Sequence, residues 1–303
     1  MTSNMPLFWK IRSHISSFYL YKLEKYIFYF KAIIYIVFNF NHPVNSLKKI
    51  RNQNFPYTLE KKNLTHLEIK NKNNLSIVLK QIDDIIKFDN NLMIINYNKK
   101  VLKFKHYESI ELDIFTQKLY SKLSVKNKIV LDIGGNVGDS SLLYSALGAK
   151  KIIMIEPQPK FFEYAKENLQ LNNEFVNIEL INAGLSNSKG YFSINYEDSG
   201  KSFQFKEDQK NGVKIPKLTL EEILSNYNSS NFVLKLDCEG CEYDVLLNSS
   251  DQILNKFDAI LLEFHSGFKN ISYRLQNLGF SIKILNSKYT PKKQYRGHLL
   301  AVK

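Results

Sequence analysis

Two short segments of this 303-residue chain carry residues whose types and order can do chemistry. In the first, Val130-Leu131-Asp132-Ile133-Gly134-Gly135-Asn136-Val137-Gly138-Asp139 passes from an apolar run into a glycine turn flanked by acids. After an amphipathic stretch, Ile152-Ile153-Met154-Ile155-Glu156-Pro157 repeats the apolar run and ends in another acid. Gly134 and Gly138 let the backbone turn sharply and approach a ligand where a Cβ would collide. Glu156, 24 positions after Asp132, is placed to accept hydrogen bonds from both hydroxyls of a ribose. In the second segment, Lys235, Asp237 and Glu239 alternate with other residues, and His265 follows further on. Carboxylates in that setting can hold or accept a proton.

The first segment predicts an adenosine-containing cofactor, and its charge narrows which one. A dinucleotide site has G-x-G-x-x-G, with a pyrophosphate on the helix N-terminus. Here the spacing is Gly134-x-Asn136-x-Gly138, and Asp132 and Asp139 would repel a pyrophosphate. The same acids suit a cofactor that carries an ammonium and a sulfonium. S-adenosylmethionine fits that description and NAD does not. The bland alternative is a doubly wound domain with tight turns and no cofactor.

Elements alternate as successive βαβ units require. Strands are expected at 128–133, 151–155, 178–182, 232–236 and 259–263, helices at 139–147, 159–171 and 220–224, and an inserted hairpin over Tyr191–Phe205. Segments 280–285 and 297–302 read as a closing antiparallel pair, and Ser109–Leu123 as a helix docked on the sheet. The fourth strand delivers Asp237 level with Gly134 and Glu156.

These motifs resemble the FkbM-type S-adenosylmethionine-dependent methyltransferases. The resemblance covers about residues 126–303. It rests on Asp132-Ile-Gly-Gly-Asn-Val-Gly-Asp-Ser-Ser141, on Ile155-Glu156-Pro157-Gln158-Pro159, and on Ile181-Asn182-Ala183-Gly184-Leu185-Ser186. It rests further on Leu234-Lys235-Leu236-Asp237-Cys238-Glu239-Gly240-Cys241-Glu242-Tyr243-Asp244-Val245-Leu246 and Leu262-Glu263-Phe264-His265. It implies an α/β fold with a Rossmann-like class I methyltransferase sheet, mostly parallel with an antiparallel closing strand. It implies S-adenosylmethionine held by Asp132, Gly134, Gly135, Asn136, Gly138, Asp139, Glu156, Pro157 and Ala183. Cys238 and Cys241 stand where the family has small apolar residues.

The reaction expected is methyl transfer by in-line displacement, which requires alignment of two partners and removal of a proton from a hydroxyl acceptor. Some amino methyltransferases of nucleic acids have Asp/Asn-Pro-Pro-aromatic at the end of the fourth strand. Asp237-Cys238-Glu239-Gly240 offers carboxylates instead, which favours O-methylation of a sugar, glycan or other small molecule. Asp237 or His265 is assigned as proton acceptor or orienting group, with Glu239 supporting the acceptor hydroxyl. Lys235, two residues earlier on the same strand face, is expected to pair with Asp237 or Glu239 and hold it ionised. Runner-up readings are a divalent metal bound by Asp237 and Glu239, an RNA methyltransferase, and a non-catalytic binding protein on the same fold. The other histidines show no ligand spacing.

Length allows about two domains and composition, 44% hydrophobic and 23% charged, is that of a globular protein. We divide the chain into a basic, aromatic helical segment (1–54), a small β-rich or α+β lead-in (55–125) and the Rossmann-like domain (126–303). Strands are expected in the lead-in at His66–Ile69, Ser76–Leu79, Leu92–Ile95 and Lys100–Phe104. Cys238 and Cys241 form a lone C-x-x-C without the partner pair a zinc site needs, and are expected in the core. They give no sign of a secreted disulfide framework, which points to the cell interior.

Net charge is +13, yet arginine occurs only at 12, 51, 274 and 296. The forks that read phosphate and guanine are therefore scarce, and dedicated nucleic-acid binding is not expected. Eight basic residues and one acid lie between positions 1 and 59, among many aromatics. The apolar run Tyr26–Phe40 is shorter than the roughly 20 residues of a membrane span. Residues 7–51 suit either a helical cap on the catalytic domain or peripheral contact with the inner membrane surface, and the two can coexist.

Overall fold

The structure, a computed structural model, describes residues 17–62, 66–69, 72, 75, 79, 86–89, 92–107, 109–110, 113–116, 118–175, 177–194, 212–227, 231–289 and 294–303. The chain forms two compact units, Met1–Phe88 with Thr290–Lys292, and Asp89–Tyr289 with Lys293–Lys303.

In the first unit, α1 (Ser17–Asn39) buries Ala32 and Ile36, and Phe40 just past its end, at the four-residue spacing that lines one face of a helix. Pro43 opens α2 (Pro43–Asn52) at a position where its missing N–H has no partner to lose. An antiparallel pair follows, β1 (Tyr57–Glu60) and β2 (His66–Ile69), in register Tyr57 opposite Ile69. Ile36, Phe40, Leu59, Ile69 and Leu75 form the core of this unit. The expected strand Ser76–Leu79 lies outside the described residues except for Leu79, which is helical. Tyr26, Phe30 and Phe38 on α1 stay 66–69% exposed, an unusual surface for large rings. Among the described residues no helix is long and apolar enough to cross a membrane. The chain leaves the unit within β3 (Ile86–Asp89).

In the second unit, strands form in the two segments where they are expected, and β4 (Leu92–Tyr97) and β5 (Lys100–Phe104) pair as an antiparallel hairpin. The single helix expected over Ser109–Leu123 does not form. The chain makes α3 (Asp113–Thr116) and a 3-10 turn at Tyr120–Lys122, and Lys118 between them has a left-handed φ of 52°.

Then come β6 (Ile129–Ile133), α4 (Asp139–Ala146), β7 (Lys151–Ile155), α5 (Pro159–Gln170) and β8 (Ile178–Ile181). Next are β9 (Gly184–Leu185), β10 (Gly190–Ile194), β11 (Val213–Leu218), α6 (Leu220–Ser225) and β12 (Phe232–Leu236). Helices α7 (Cys241–Asn248) and α8 (Asp251–Leu254), β13 (Phe257–Phe264), α9 (Lys269–Asn277), β14 (Ser281–Tyr289) and β15 (Tyr295–Val302) complete the chain. Seven strands form one sheet in the order β14-β15-β13-β12-β6-β7-β8. Strands β8, β7, β6, β12 and β13 run parallel, and β15 enters antiparallel between β13 and β14. This is the mostly parallel Rossmann-like sheet with an antiparallel closing strand. Its central strands are covered on both faces, so they read as continuous rather than alternating apolar runs. All five residues of β12 are buried, Lys235 included.

The insertion differs from expectation. Strand β10 pairs not with residues near 200 but with β11, Gly190 opposite Lys217, which places β11 beside β9 as well. Residues 195–205 of the expected hairpin lie outside the described residues.

Two asparagines do structural work that the sequence does not advertise. Asn168 on α5 is fully buried; its Oδ1 accepts from the backbone N–H groups of Lys105 and His106, and its Nδ2 donates to the carbonyls of His106 and Val137. Asn172 makes the same two-way contact with Lys103. An amide side chain matches a peptide group donor for acceptor, so α5 clips the end of β5 as a neighbouring strand would. Asn168→Ala is expected to cost about 1–3 kcal/mol, because it strands buried backbone groups. A urea midpoint lowered at unchanged m, with near-native circular dichroism, is the expected reading.

Candidate active site

Strand order reverses between β6 and β12: the chain runs outward from β6 through β7 and β8, then returns to β12 on the other side. The crevice outside the carboxyl ends of strands at such a reversal is where open parallel sheets bind ligands. The glycine turn and the Asp237 segment both leave the sheet there. At Gly134 (φ +74°) a Cβ would stand 1.8 Å from the Asp237 carbonyl oxygen, so only glycine lets the two strand ends close together. The turn is tied down by Gly134 N and Gly135 N donating to the Ile155 carbonyl and by Gly138 N donating to Gly135. Gly138 (φ +87°) opens α4.

Register decides the next layer. In the parallel pair β6–β12, Asp132 stands opposite Lys235. The two form a salt bridge of 3.1 Å with side chains 0% and 3% exposed. Lys235 Nζ also donates to the carbonyls of Gly134 (2.7 Å) and Ile133 (3.2 Å). Oδ2 of Asp132 accepts from Ser140 and Ser141, both at 2.6 Å. Lys235 therefore pairs with Asp132 and the turn carbonyls, not with Asp237 or Glu239 as the sequence suggested. Burial opposes its charge, yet Asp132, Asp237 and Asp139 together hold its pKa above the ordinary lysine value.

At the end of β7, Glu156 Oε1 accepts from Gln158 N (2.9 Å) and Oε2 from Asn136 N (2.8 Å), joining the tips of the two loops. Burial raises its pKa to about 7 against these bonds. Burial likewise raises Asp139, at the first turn of α4, to about 7. Asn136 (φ 49°) exchanges hydrogen bonds with Ser109. Asn182 Nδ2 donates to the carbonyls of Glu156 and Pro157, beside the fully buried Ala183. Thus the turn Gly134–Gly138, Asp139, Glu156 and Pro157 come together at the strand ends, with Asp132 beneath them. S-adenosylmethionine fits these residues: each Glu156 oxygen keeps lone-pair capacity for a ribose hydroxyl, and the acids favour a cationic ligand.

The second cluster gathers at the ends of β12 and β13. Burial opposes ionisation of Asp237, but the Lys235 ammonium and a 2.6 Å hydrogen bond from Tyr120 hold its carboxyl below the usual range. The chain then turns through Glu239, a non-glycine residue with left-handed φ of 55°, and Gly240 at φ +128°. His265 Nε2 lies 3.2 Å from Glu239 Oε2 and 3.9 Å from Glu263, and its Nδ1 lies 3.3 Å from Glu242 Oε1. Burial works against a charged ring, yet Glu242, Glu263 and Glu239 lift His265 to about 9. Burial raises Glu239 above the ordinary carboxylate value, countered in part by His265. The chemistry available is hydrogen bonding and proton acceptance by a carboxylate next to a cationic ring.

Cys238 and Cys241 are joined in a disulfide, Cα to Cα 5.5 Å, across the loop that carries Glu239. They pack against the core, as expected, but as a bonded pair. The residues the sequence reading passed over are Tyr120, Glu242, Arg296 and His298. Arg296 Nη1 is 4.0 Å from Glu239, and burial lowers His298 to about 4, so its ring is neutral beside Asp237. Only Glu242 carried a signal, as the last acid of the Lys235–Glu242 motif. Tyr243, Ser266, Gly267, Phe268, Tyr289 and Tyr295 line a cavity of about 260 Å³ that begins one residue past His265. Its walls come from α7, the β13–α9 loop with the start of α9, and the β14–β15 hairpin.

The family model described as "Methyltransferase FkbM domain" matches residues 132–282. Methyltransferase 1 of Beauveria bassiana is 24% identical over 212 residues, 61% of this chain and 85% of that protein. Methyltransferase sdnD of Sordaria araneosa is 24% identical over 217 residues, covering 59% and 84%. Among solved structures, a methyltransferase FkbM from Methylobacillus flagellatus KT aligns with a TM-score of 0.40 and 13% identity, over 58% of this chain and 43% of that one.

Glu156 and Asp139 set a pH dependence. Because burial lifts both to about 7, the empty protein keeps protons that the unfolded chain has already released. Its stability therefore falls as pH rises from the ordinary carboxylate value towards 7 and levels off above. A ligand that binds the ionised acids gains over the same window. Affinity for S-adenosylhomocysteine is expected to rise about tenfold per proton lost between pH 6 and 8. Calorimetric titration should show Glu156→Gln weaker at high pH and with a flatter profile.

Proposed function

Residues 132–282 belong to the FkbM methyltransferase family, the protein is an S-adenosylmethionine-dependent methyltransferase, and from that premise we propose that it methylates a hydroxyl of a sugar, glycan or other small molecule. The observation that carries this reading is the carboxylate set at the end of β12, where Glu239 sits one-third exposed against His265. When bound, the cofactor supplies an electrophilic methyl group on a sulfonium. The turn Gly134–Gly138 with Glu156 and Asp139 holds and orients that group. Asp237, kept ionised by Lys235, stabilises positive charge at the strand end.

We assign proton acceptance to Glu239. Its raised pKa makes it a stronger base than Asp237, and it stands at the accessible side of the cluster. His265, protonated below about pH 9, positions Glu239 rather than accepting a second proton. The acceptor occupies the cavity lined by Tyr243, Phe268, Tyr289 and Tyr295, whose rings offer faces to a sugar. As the acceptor oxygen attacks, its O–H proton passes to Glu239 and the C–O bond forms while the C–S bond breaks. A carboxylate suits a hydroxyl acceptor better than the exocyclic amine of a base, and no nucleic acid is proposed as substrate. For a second partner we propose an anionic membrane surface, contacted through residues 7–51. The exposed Tyr26, Phe30 and Phe38 next to Lys31 support it, the rings suiting headgroup depth and the lysine the lipid charge.

With methyl-labelled S-adenosylmethionine and a fractionated extract, label is expected in a sugar or small-molecule fraction. Label recovered in RNA overturns the acceptor assignment. With the acceptor so found, Glu239→Gln is expected to lower kcat about 10²–10⁴-fold while binding S-adenosylhomocysteine as the parent does. An undiminished kcat removes Glu239 from the role.

A further inference from the structure

We propose that Asp237, Glu242 and His265 form a binding site for a divalent transition-series cation beside the methyl-transfer centre. One carboxylate oxygen of each acid and one ring nitrogen of His265 lie within 4.8 Å of one another. Two ligands on opposite sides of such a cation, with bonds of about 2.0–2.2 Å, stand about 4.4 Å apart, so small side-chain shifts close the shell.

A group of acids alone would not point to a ligand; Glu242 does. Its side chain is 0% exposed, and while Oε1 accepts from Cys238 N at 3.1 Å, Oε2 is buried with no hydrogen-bond partner among the described residues. A buried carboxylate oxygen left without a donor is costly and calls for a cation or a donor next to it. The surroundings agree. Glu239, Glu242 and Glu263 converge on one imidazole with an Asp237 oxygen within 4.8 Å of the Glu242 and His265 ligand atoms, while Lys235 is engaged by Asp132 and by carbonyls.

His265 is protonated in the cation-free site, so the cation binds by displacing that proton and takes over the positive charge that Glu242 and Glu239 face. Two carboxylates and one neutral imidazole then make a mixed oxygen and nitrogen donor set, which suits Mn²⁺ or Zn²⁺ better than Ca²⁺ or Mg²⁺. Three protein ligands leave positions open, as catalytic sites do. The metal expected on Asp237 and Glu239 would use a different second acid, for Glu239 stands where it can take a proton and Glu242 lies in the donor group. A hydroxyl bound to the cation ionises more readily. Its proton goes to Glu239, and its lone pair forms the new C–O bond as the C–S bond breaks onto sulfur. This step rests on the proposed O-methylation; the cation site itself does not.

The test uses the full chain, stripped with a chelator and titrated with Mn²⁺, free ion being read by electron paramagnetic resonance. S-adenosylhomocysteine binding is measured on the same samples. The expected result is about one tight Mn²⁺ per chain, with affinity at least about tenfold weaker in His265→Gln and in Asp237→Asn. Asp258→Asn, at the far end of β13, should titrate like the parent. Parent protein that binds S-adenosylhomocysteine and leaves the Mn²⁺ signal undiminished overturns the cation site, and so does His265→Gln titrating like the parent. Because that outcome is read on the unmutated chain, a variant that fails to fold does not protect the proposal. Mn²⁺ bound without S-adenosylhomocysteine would support the site and sink the methyltransfer reading instead.

Discussion

The ammonium of Lys235 is the group on which the rest of this site depends. It is buried at the centre of the sheet, where an unpaired charge would not be tolerated. Asp132 answers it across the β6–β12 pair, and the carbonyls of Ile133 at the end of β6 and Gly134 at the start of the glycine turn accept its remaining protons. Asp132 in turn is held by two serines from the first turn of α4. One buried cation thereby sets the backbone of the cofactor turn from below and holds the start of α4 against it. Its field also reaches Asp237 and keeps that carboxylate ionised despite burial.

From that centre the crevice divides into two electrostatic regimes. On the β7 side, burial of Glu156 and Asp139 outweighs the Lys235 charge and the backbone hydrogen bonds that oppose it, and their pKa values are lifted. They gain from any ligand that brings hydroxyl donors or positive charge. On the β12 side, Asp237 is already paid for by Lys235 and Tyr120, while Glu239, Glu242 and Glu263 share a single imidazole. The first regime grips a cationic nucleoside, and the second handles a proton next to it.

Backbone conformation keeps the two regimes adjacent. Glycine at 134 lets the Asp237 carbonyl come within the space a Cβ would fill, so the second cluster begins on the roof of the first. Glu239 then adopts a left-handed conformation that a non-glycine residue takes at some cost, and the Cys238–Cys241 disulfide closes the loop around it. Strain of this kind persists where the surrounding structure over-determines it, and such positions gather at functional sites.

Much of this was legible from residue order alone. The βαβ alternation, the strand Phe232–Leu236 and the closing pair follow from runs of apolar residues broken by turns, because a strand covered on both faces must be apolar throughout. The cofactor turn was legible because glycine at 134 and 138 and acids at 132, 139 and 156 answer a backbone and a charge requirement that no other residues meet. Register was not: that Lys235 faces Asp132 depends on which residues of β6 and β12 stand opposite, which local sequence does not encode. For the same reason Tyr120, His298 and Arg296, distant in the chain, reach the site only through the fold, and the partner of β10 lies beyond the nearest turn. Short-range chemistry determined which residues could act; long-range packing decided which of them meet.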